Sequence, residues 1–167
     1  MTTKADYTDG EWATLRRAPM VAGMAISLAD PGGPIEATKE LLAGLRTLKD
    51  PAAAGAESEL TIAVAKDVQE ASKQRQNPLG DFKPRGALAG QQILEELQRA
   101  NAILTEKAAP EEAAAFRLWI VAAAQASANA AKEGGFMGFG AERVSKGEKE
   151  MLEKVAEAAG AGAPDQS

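Results

Sequence analysis

Five carboxylates near two glycine-containing turns are the residues of this sequence best suited to binding a metal ion. They are Asp30, Glu36, Glu133, Glu142 and Glu148. Oxygen ligands of this kind suit calcium, magnesium or manganese. Calcium takes about six to eight oxygens, and no Asp-x-Asp-x-Asp-Gly loop supplies them locally. Solvated surface acids are therefore the competing interpretation, and the favoured one.

The chain contains neither cysteine nor histidine, which excludes several kinds of chemistry. Disulfides, thiolate nucleophiles and Cys/His zinc sites are impossible. Ser-His-Asp triads, histidine general bases and the Glu-x-x-His sites of di-iron bundles are excluded in the same way. An enzyme would have to rely on carboxylates, lysine or metal-bound water. The favoured interpretation is a non-enzymatic role without a cofactor. A divalent cation such as calcium or magnesium is the alternative.

A glycine-aromatic loop follows an alanine-rich helix and invites a phosphate-binding interpretation. Gly134-Gly135 opens the loop, and Phe136 and Phe139 lie within it. Backbone N–H groups of such a loop, placed before a helix, can bind an anion. However, known nucleotide loops follow a strand, and neither of their glycine motifs is present. The favoured alternative is a helix end at Gly134, with both phenylalanines folded back as an apolar plug.

Composition limits the partners of the chain. The net charge of −5 gives no electrostatic reason to expect nucleic-acid binding, which needs a basic surface. No uninterrupted apolar run is long enough to span a bilayer, and the first twelve residues lack the apolar segment of a signal peptide. The sequence therefore predicts a cytoplasmic protein with no integral membrane segment.

Helix-forming segments separated by breakers predict an all-α, single-domain bundle of about six helices. Apolar residues recur at helical spacing, and no period-two strand pattern is present. The bundle is expected over residues 8–159, between an N-terminal tail of residues 1–7 and a disordered C-terminal tail of residues 160–167. The predicted helices begin near Thr8 or Asp9, Pro34, Ser58, Ala87, Pro110 and Ser145.

Individual residues in these segments carry further predictions. Pro19 should kink or divide the first helix, because a proline inside a helix removes a hydrogen bond and clashes with the preceding turn. Phe82 should pin a long loop to the body of the protein. Trp119 is interpreted as a core residue rather than a ligand platform, and Arg16-Arg17 as a solvated basic patch. The apolar helical faces are expected to include Ile62 in the third helix and Leu88 in the fourth.

The two ends of the chain resemble each other. Ala29-Asp30-Pro31-Gly32-Gly33 is echoed by Ala131-Lys132-Glu133-Gly134-Gly135, and similar helices follow both turns. Each turn also follows a helix that contains a tryptophan. The echo predicts a pseudo-duplicated pair of helical hairpins, and a chance match between low-complexity helices is the alternative.

A helix that ends in Ala-Asp-x-x-Gly, followed by a turn and a second helix, resembles tellurite-resistance TerB-like domains. The resemblance covers two patches of about 25 residues each. It implies an all-helical, internally duplicated fold with acidic turns that bind divalent cations. Asp30 and Glu133 match the turn acids, and Ser145 and Glu148 match the start of the following helix. The adjacent Asp-Gly-Glu/Asp cluster of the family is missing in both turns.

Two functional hypotheses follow from these patterns. The first is a non-enzymatic helical protein that acts through protein–protein contact, with a protein partner or a second copy, in a TerB-like stress context. Its basis is that two helical stretches, Ala18–Ala29 and Ala122–Ala131, hold so little polar surface that they must be central in the bundle or covered by a partner. The second is the binding of a divalent cation at Asp30, Glu133 and Glu148, or of a small anion, at the Gly-Gly turns.

Overall fold

The computed structural model describes residues 3–29, 49–77, 79–133 and 146–161, and within these ranges it contains five α-helices and no strand. The helices are α1 (Asp9–Ala29), α2 (Glu59–Lys73), α3 (Ala89–Lys107), α4 (Pro110–Glu133) and α5 (Lys146–Ala158). Short 3-10 turns cover Lys4–Asp6, Ala52–Ala54 and Gly86–Leu88. The all-α prediction is confirmed. The predicted helix beginning at Pro34 lies outside the described residues.

Side-chain caps define where two of the helices begin. Thr8 Oγ1 accepts a hydrogen bond from the Glu11 backbone N–H at 3.1 Å, and Glu11 Oε2 accepts one from the Thr8 N–H at 2.8 Å. Ser58 Oγ accepts from the Thr61 N–H at 3.1 Å, and Thr61 Oγ1 accepts from the Ser58 N–H at 2.9 Å. These reciprocal bonds satisfy donors that a helix N-terminus leaves without partners. The predicted starts near Thr8 and Ser58 are confirmed.

Helix α1 is the central element of the bundle. It packs most extensively against α4 and α3, and it also contacts α5 and α2. Its residues Ala18, Val21, Ala22, Ala25 and Ile26 have no solvent exposure. The low polarity of this helix is therefore explained by packing within the bundle. No helix among the described residues is long and apolar enough to cross a membrane.

Pro19 does not divide α1, which is one helix from Asp9 to Ala29. That part of the prediction is wrong. Pro19 is buried, together with its neighbours Ala18 and Met20. Packing of this apolar face stabilises the helix, which offsets the hydrogen bond that the proline cannot donate.

The interpretation of Arg16-Arg17 as a solvated patch is also wrong. Arg17 Nε lies 2.7 Å from Glu96 Oε1, and only 12% of the Arg17 side chain is exposed. Arg16 Nη1 lies 3.5 Å from Asp67 Oδ2. The helix therefore places both cations beside acids that lie far away in sequence. Arg17 also donates to the Leu79 carbonyl oxygen at 3.2 Å, and its Cζ lies 5.6 Å from the centre of the Phe82 ring.

Two apolar residues, Ile62 and Leu88, are not on the buried helical faces predicted for them. Ile62 is 47% exposed and Leu88 is 60% exposed. Leu88 ends the 3-10 turn before α3, so its side chain does not share the buried face of the helix. Phe82, in contrast, is partly buried and packs against the core as predicted.

Residues near the N-terminus pack on the bundle. Tyr7, which was assigned to a tail, is 7% exposed, and its ring centre lies 5.7 Å from that of Trp12. Trp12 Nε1 donates to Asp67 Oδ2 at 2.9 Å. The Lys107 ammonium donates to Glu11 Oε2 at 2.6 Å. That bond, together with the Thr8 backbone N–H, lowers the pKa of the Glu11 carboxyl.

The crossing of α1 and α4 depends on a glycine. A Cβ atom at Gly23 would lie 2.8 Å from Ser127 Oγ, which is closer than a carbon and an oxygen can pack. Ser127 is buried, so little space is available for it to move. Small residues at such a crossing allow the two backbones to approach closely.

We expect Gly23→Val to lower the free energy of unfolding by about 1–3 kcal/mol, because the added carbons overpack this crossing. The matched control is Gly90→Val in α3, where a Cβ would meet no atom within 4 Å. The control should stay within about 0.5 kcal/mol of the wild type. Urea denaturation of both variants measures the difference. Equal losses of stability in the two variants would contradict the close packing of α1 and α4 at Gly23.

Candidate functional site

The three predicted metal ligands are not brought together within the described residues. Asp30 lies outside them. Glu133 is the last residue of α4, and its side chain also lies outside. Glu148 is in the first turn of α5. No group of three or more acidic side chains able to hold a metal ion is present in the described ranges. Metal binding at the two turns stays a prediction.

Glu148 is buried rather than solvated. Its exposure is 4%, so interpreting this carboxylate as a solvated surface acid is wrong. It is the third residue of α5, where the helix dipole favours a negative charge. Ser145, which the resemblance places with Glu148 at the start of this helix, lies outside the described residues.

The residues considered for binding at the glycine-aromatic loop, and Trp119 considered as a ligand platform, have different outcomes. Gly134, Gly135, Phe136 and Phe139 lie outside the described residues. Trp119 has no solvent exposure, and its ring meets the Phe116 ring edge-on, with centres 5.3 Å apart. The structure places Trp119 in the core of the bundle, as the sequence analysis favoured over a ligand platform.

A surface groove with a volume of about 620 Å³ lies between α4 and α5. We call it the α4–α5 groove. The α4 wall consists of Ala114, Arg117, Leu118, Val121 and Gln125. The α5 wall consists of Lys149, Leu152, Glu153, Ala156, Gly160 and Ala161. The α4 residues, and the α5 residues from Lys149 to Ala156, repeat at three- and four-residue intervals, so each set is one face of a helix. Gly160 and Ala161 follow the end of α5.

The groove is lined mainly by apolar residues, together with the charged residues Arg117, Lys149 and Glu153. Leu118 is 46% exposed, although it is next to the fully buried Trp119. With a rise of about 1.5 Å per residue, the α4 wall from Ala114 to Gln125 spans about 16 Å. The helical part of the α5 wall, from Lys149 to Ala156, spans about 10 Å on the same basis. The groove is therefore two to three helical turns long, roughly.

The end of the groove near Arg117 is built from small residues. Gly160 has a φ of +77°, and the N–H of Gly160 and that of Ala161 donate to the Glu157 and Ala156 carbonyl oxygens. These bonds end α5 in a left-handed turn that favours glycine. A side chain at Gly160 would overlap the amide of Asn101. The glycine therefore both closes α5 and leaves space for Asn101.

Asn101 fixes the position of Arg117. Arg117 Nε donates to Asn101 Oδ1 at 2.9 Å, and Arg117 Nη2 donates to Thr105 Oγ1 at 2.9 Å. Within the ranges that the structure describes, no carboxylate lies within 4.0 Å of Arg117. The guanidinium is thus oriented by neutral oxygen atoms and forms no ion pair with the described carboxylates.

Sequence reasoning did not find this groove. Phe116, Trp119, Ile120 and Ala123 form a stripe at three- and four-residue intervals along α4, and all four are buried. The sequence feature that indicated a second apolar surface was Leu118, an apolar residue of α4 outside that stripe. Helix α4 is apolar over more of its circumference than one buried face needs, which is typical of a helix with a second contact surface.

Comparison of the chain with protein-family models, with curated proteins and with solved structures gives no match. The resemblance to TerB-like domains therefore stays a prediction.

Proposed function

We propose that this chain is a non-enzymatic helical protein that acts through protein–protein contact, and that the α4–α5 groove holds a short helix of its partner. The observation that carries the proposal is the apolar hollow of about 620 Å³ between two helical faces. An amphipathic helix presents apolar side chains at matching three- and four-residue intervals. A TerB-like stress context remains part of the proposal, on the basis of the two resembling sequence patches.

The shape of the groove favours a helix over a small molecule. Small-molecule sites enclose about 70–90% of their ligand, whereas this hollow is open on one side. Its length of two to three turns matches a peptide helix of roughly ten residues. A single helix of this length makes a small interface, at the low end of the range for specific complexes. We therefore expect a dissociation constant of about 1–100 µM.

The proposal is tested with the purified chain and a synthetic peptide helix of about three turns. The peptide carries leucines on one face and glutamines on its flanks, and fluorescence anisotropy measures its binding. We expect Leu118→Gln and Ala114→Trp to weaken binding by about tenfold or more, since both alter the apolar wall. The control is Leu88→Gln, which removes a leucine of comparable exposure outside the groove and should leave affinity unchanged.

The outcomes of this experiment separate the alternatives. Absence of binding at roughly 100 µM peptide would contradict the proposed function. Equal losses in the Leu118 and Leu88 variants would also contradict it, because the contact would then not be specific to the groove. Sedimentation equilibrium of the chain alone gives the competing result: a dimer that Leu118→Gln dissociates would identify a second copy as the occupant.

A further inference from the structure

We propose that the partner helix carries carboxylates along the flanks of its apolar face, and that Arg117 and Lys149 of the α4–α5 groove recognise them. This inference rests on the proposed function and specifies the chemistry of the partner. It follows from the charges that line the groove and from the way in which Arg117 is held.

Arg117 has the geometry of a carboxylate-binding residue. Its Nε and Nη2 donate to the neutral oxygens of Asn101 and Thr105, both at 2.9 Å. These bonds orient the guanidinium without neutralising it, and no described carboxylate lies within 4.0 Å. A guanidinium offers five N–H donors in a rigid plane that matches a carboxylate. Its orientation is therefore set before a partner binds.

The surroundings of Arg117 strengthen such an ion pair. Ala114 and Leu118 lie beside it on the α4 wall, and Ala156 and Gly160 lie on the opposite wall. When a partner helix excludes water from this end, the attraction between a guanidinium and a carboxylate is stronger than on an open surface. The small residues leave space for a large apolar side chain of the partner. That side chain would anchor the helix next to the ion pair.

Lys149 extends the positive charge along the groove. It lies seven residues before Ala156 on the same helix face, which is a distance of about 10 Å along α5. Glu153 is the single acid among the described residues that line the groove. Two cations and one acid give this surface a positive balance, on a chain whose net charge is −5. The groove therefore favours an acidic partner, and the overall charge disfavours a second copy.

The test compares three peptides that share the leucine face of the uncharged probe and differ in their flanks, which are glutamate, glutamine or lysine. We expect the glutamate peptide to bind the wild-type chain about five- to tenfold more tightly than the lysine peptide at low salt. Added salt should reduce this preference, because the charges are near the surface. Lys149→Gln and Arg117→Gln should each lower the preference, and Glu153→Gln should increase it.

The Lys149→Gln variant makes the test independent of whether the Arg117→Gln variant folds. It is exposed, so its substitution leaves the bundle intact even if Arg117→Gln does not fold. Equal affinities for the three peptides, with binding still dependent on Leu118, would overturn the charge preference and leave the proposed function standing. Tighter binding of the lysine peptide would also overturn it. Failure of the glutamine peptide to bind would instead contradict the proposed function itself.

Discussion

Replacing Arg17 by methionine should lower the free energy of unfolding by about 3–5 kcal/mol. The reason is the carboxylate that the substitution leaves behind. Glu96 Oε1 lies 2.7 Å from Arg17 Nε, and only 4% of the Glu96 side chain is exposed. The carboxylate keeps only Arg99, whose side chain is 65% exposed, so the loss of its buried partner leaves most of its desolvation cost without compensation. Urea denaturation, monitored by circular dichroism, measures the loss.

The same glutamate provides the matched control for this prediction. Arg99 Nη1 lies 3.4 Å from Glu96 Oε2, but 65% of the Arg99 side chain is exposed. Arg99→Met should therefore cost less than about 1 kcal/mol, as is usual for exposed ion pairs. The double variant Arg17→Met with Glu96→Leu should recover most of the stability, because an apolar pair replaces the ion pair. Similar losses of stability in the Arg17→Met and Arg99→Met variants would contradict the prediction, because burial of an ion pair would then not determine its contribution to stability.

Replacing Trp119 by alanine should cost about 3–5 kcal/mol, because it leaves a large cavity in the centre of the bundle. The Trp119 ring is fully buried and packs edge-on against Phe116. For a chain of this size each kcal/mol lowers the melting temperature by about 2–4 °C. The midpoint should therefore fall by about 6–20 °C in a thermal scan.

The neighbouring residue is the control for the Trp119 prediction. Leu118 is 46% exposed, so Leu118→Ala should change stability by less than about 1 kcal/mol. A large loss in this variant would mean that the α4–α5 groove is part of the core rather than a docking surface. The comparison thus checks both the core assignment of Trp119 and the tolerance of the groove to substitution.

Local signals were sufficient to predict much of the fold. Thr8 and Ser58 cap helices where the sequence placed them, because a cap depends on residues only three positions apart. The stripe containing Trp119 was predictable from helical spacing alone. Pro19 was misread because local propensity does not include the burial of the surrounding face.

Contacts between distant residues were beyond the reach of these patterns. Arg17 and Glu96 are separated by 79 positions in sequence, and neither residue has a local feature that indicates the other. The α4–α5 groove also requires two helices to be placed side by side. Leu118, an apolar residue outside the buried stripe, partly indicated the groove. The role of Arg117 could not be predicted, because Asn101, which orients it, is brought near it only by the fold.

The central position of α1 has a consequence for synthesis on the ribosome. Helix α1 is made well before its main neighbours α3 and α4, and the Glu11–Lys107 ion pair joins residues 96 positions apart. At about 5–20 residues per second, the nascent helix waits roughly 5–20 s for these partners. During that interval its apolar face is exposed to solvent and to chaperones. Chains that stop before α4 should therefore aggregate.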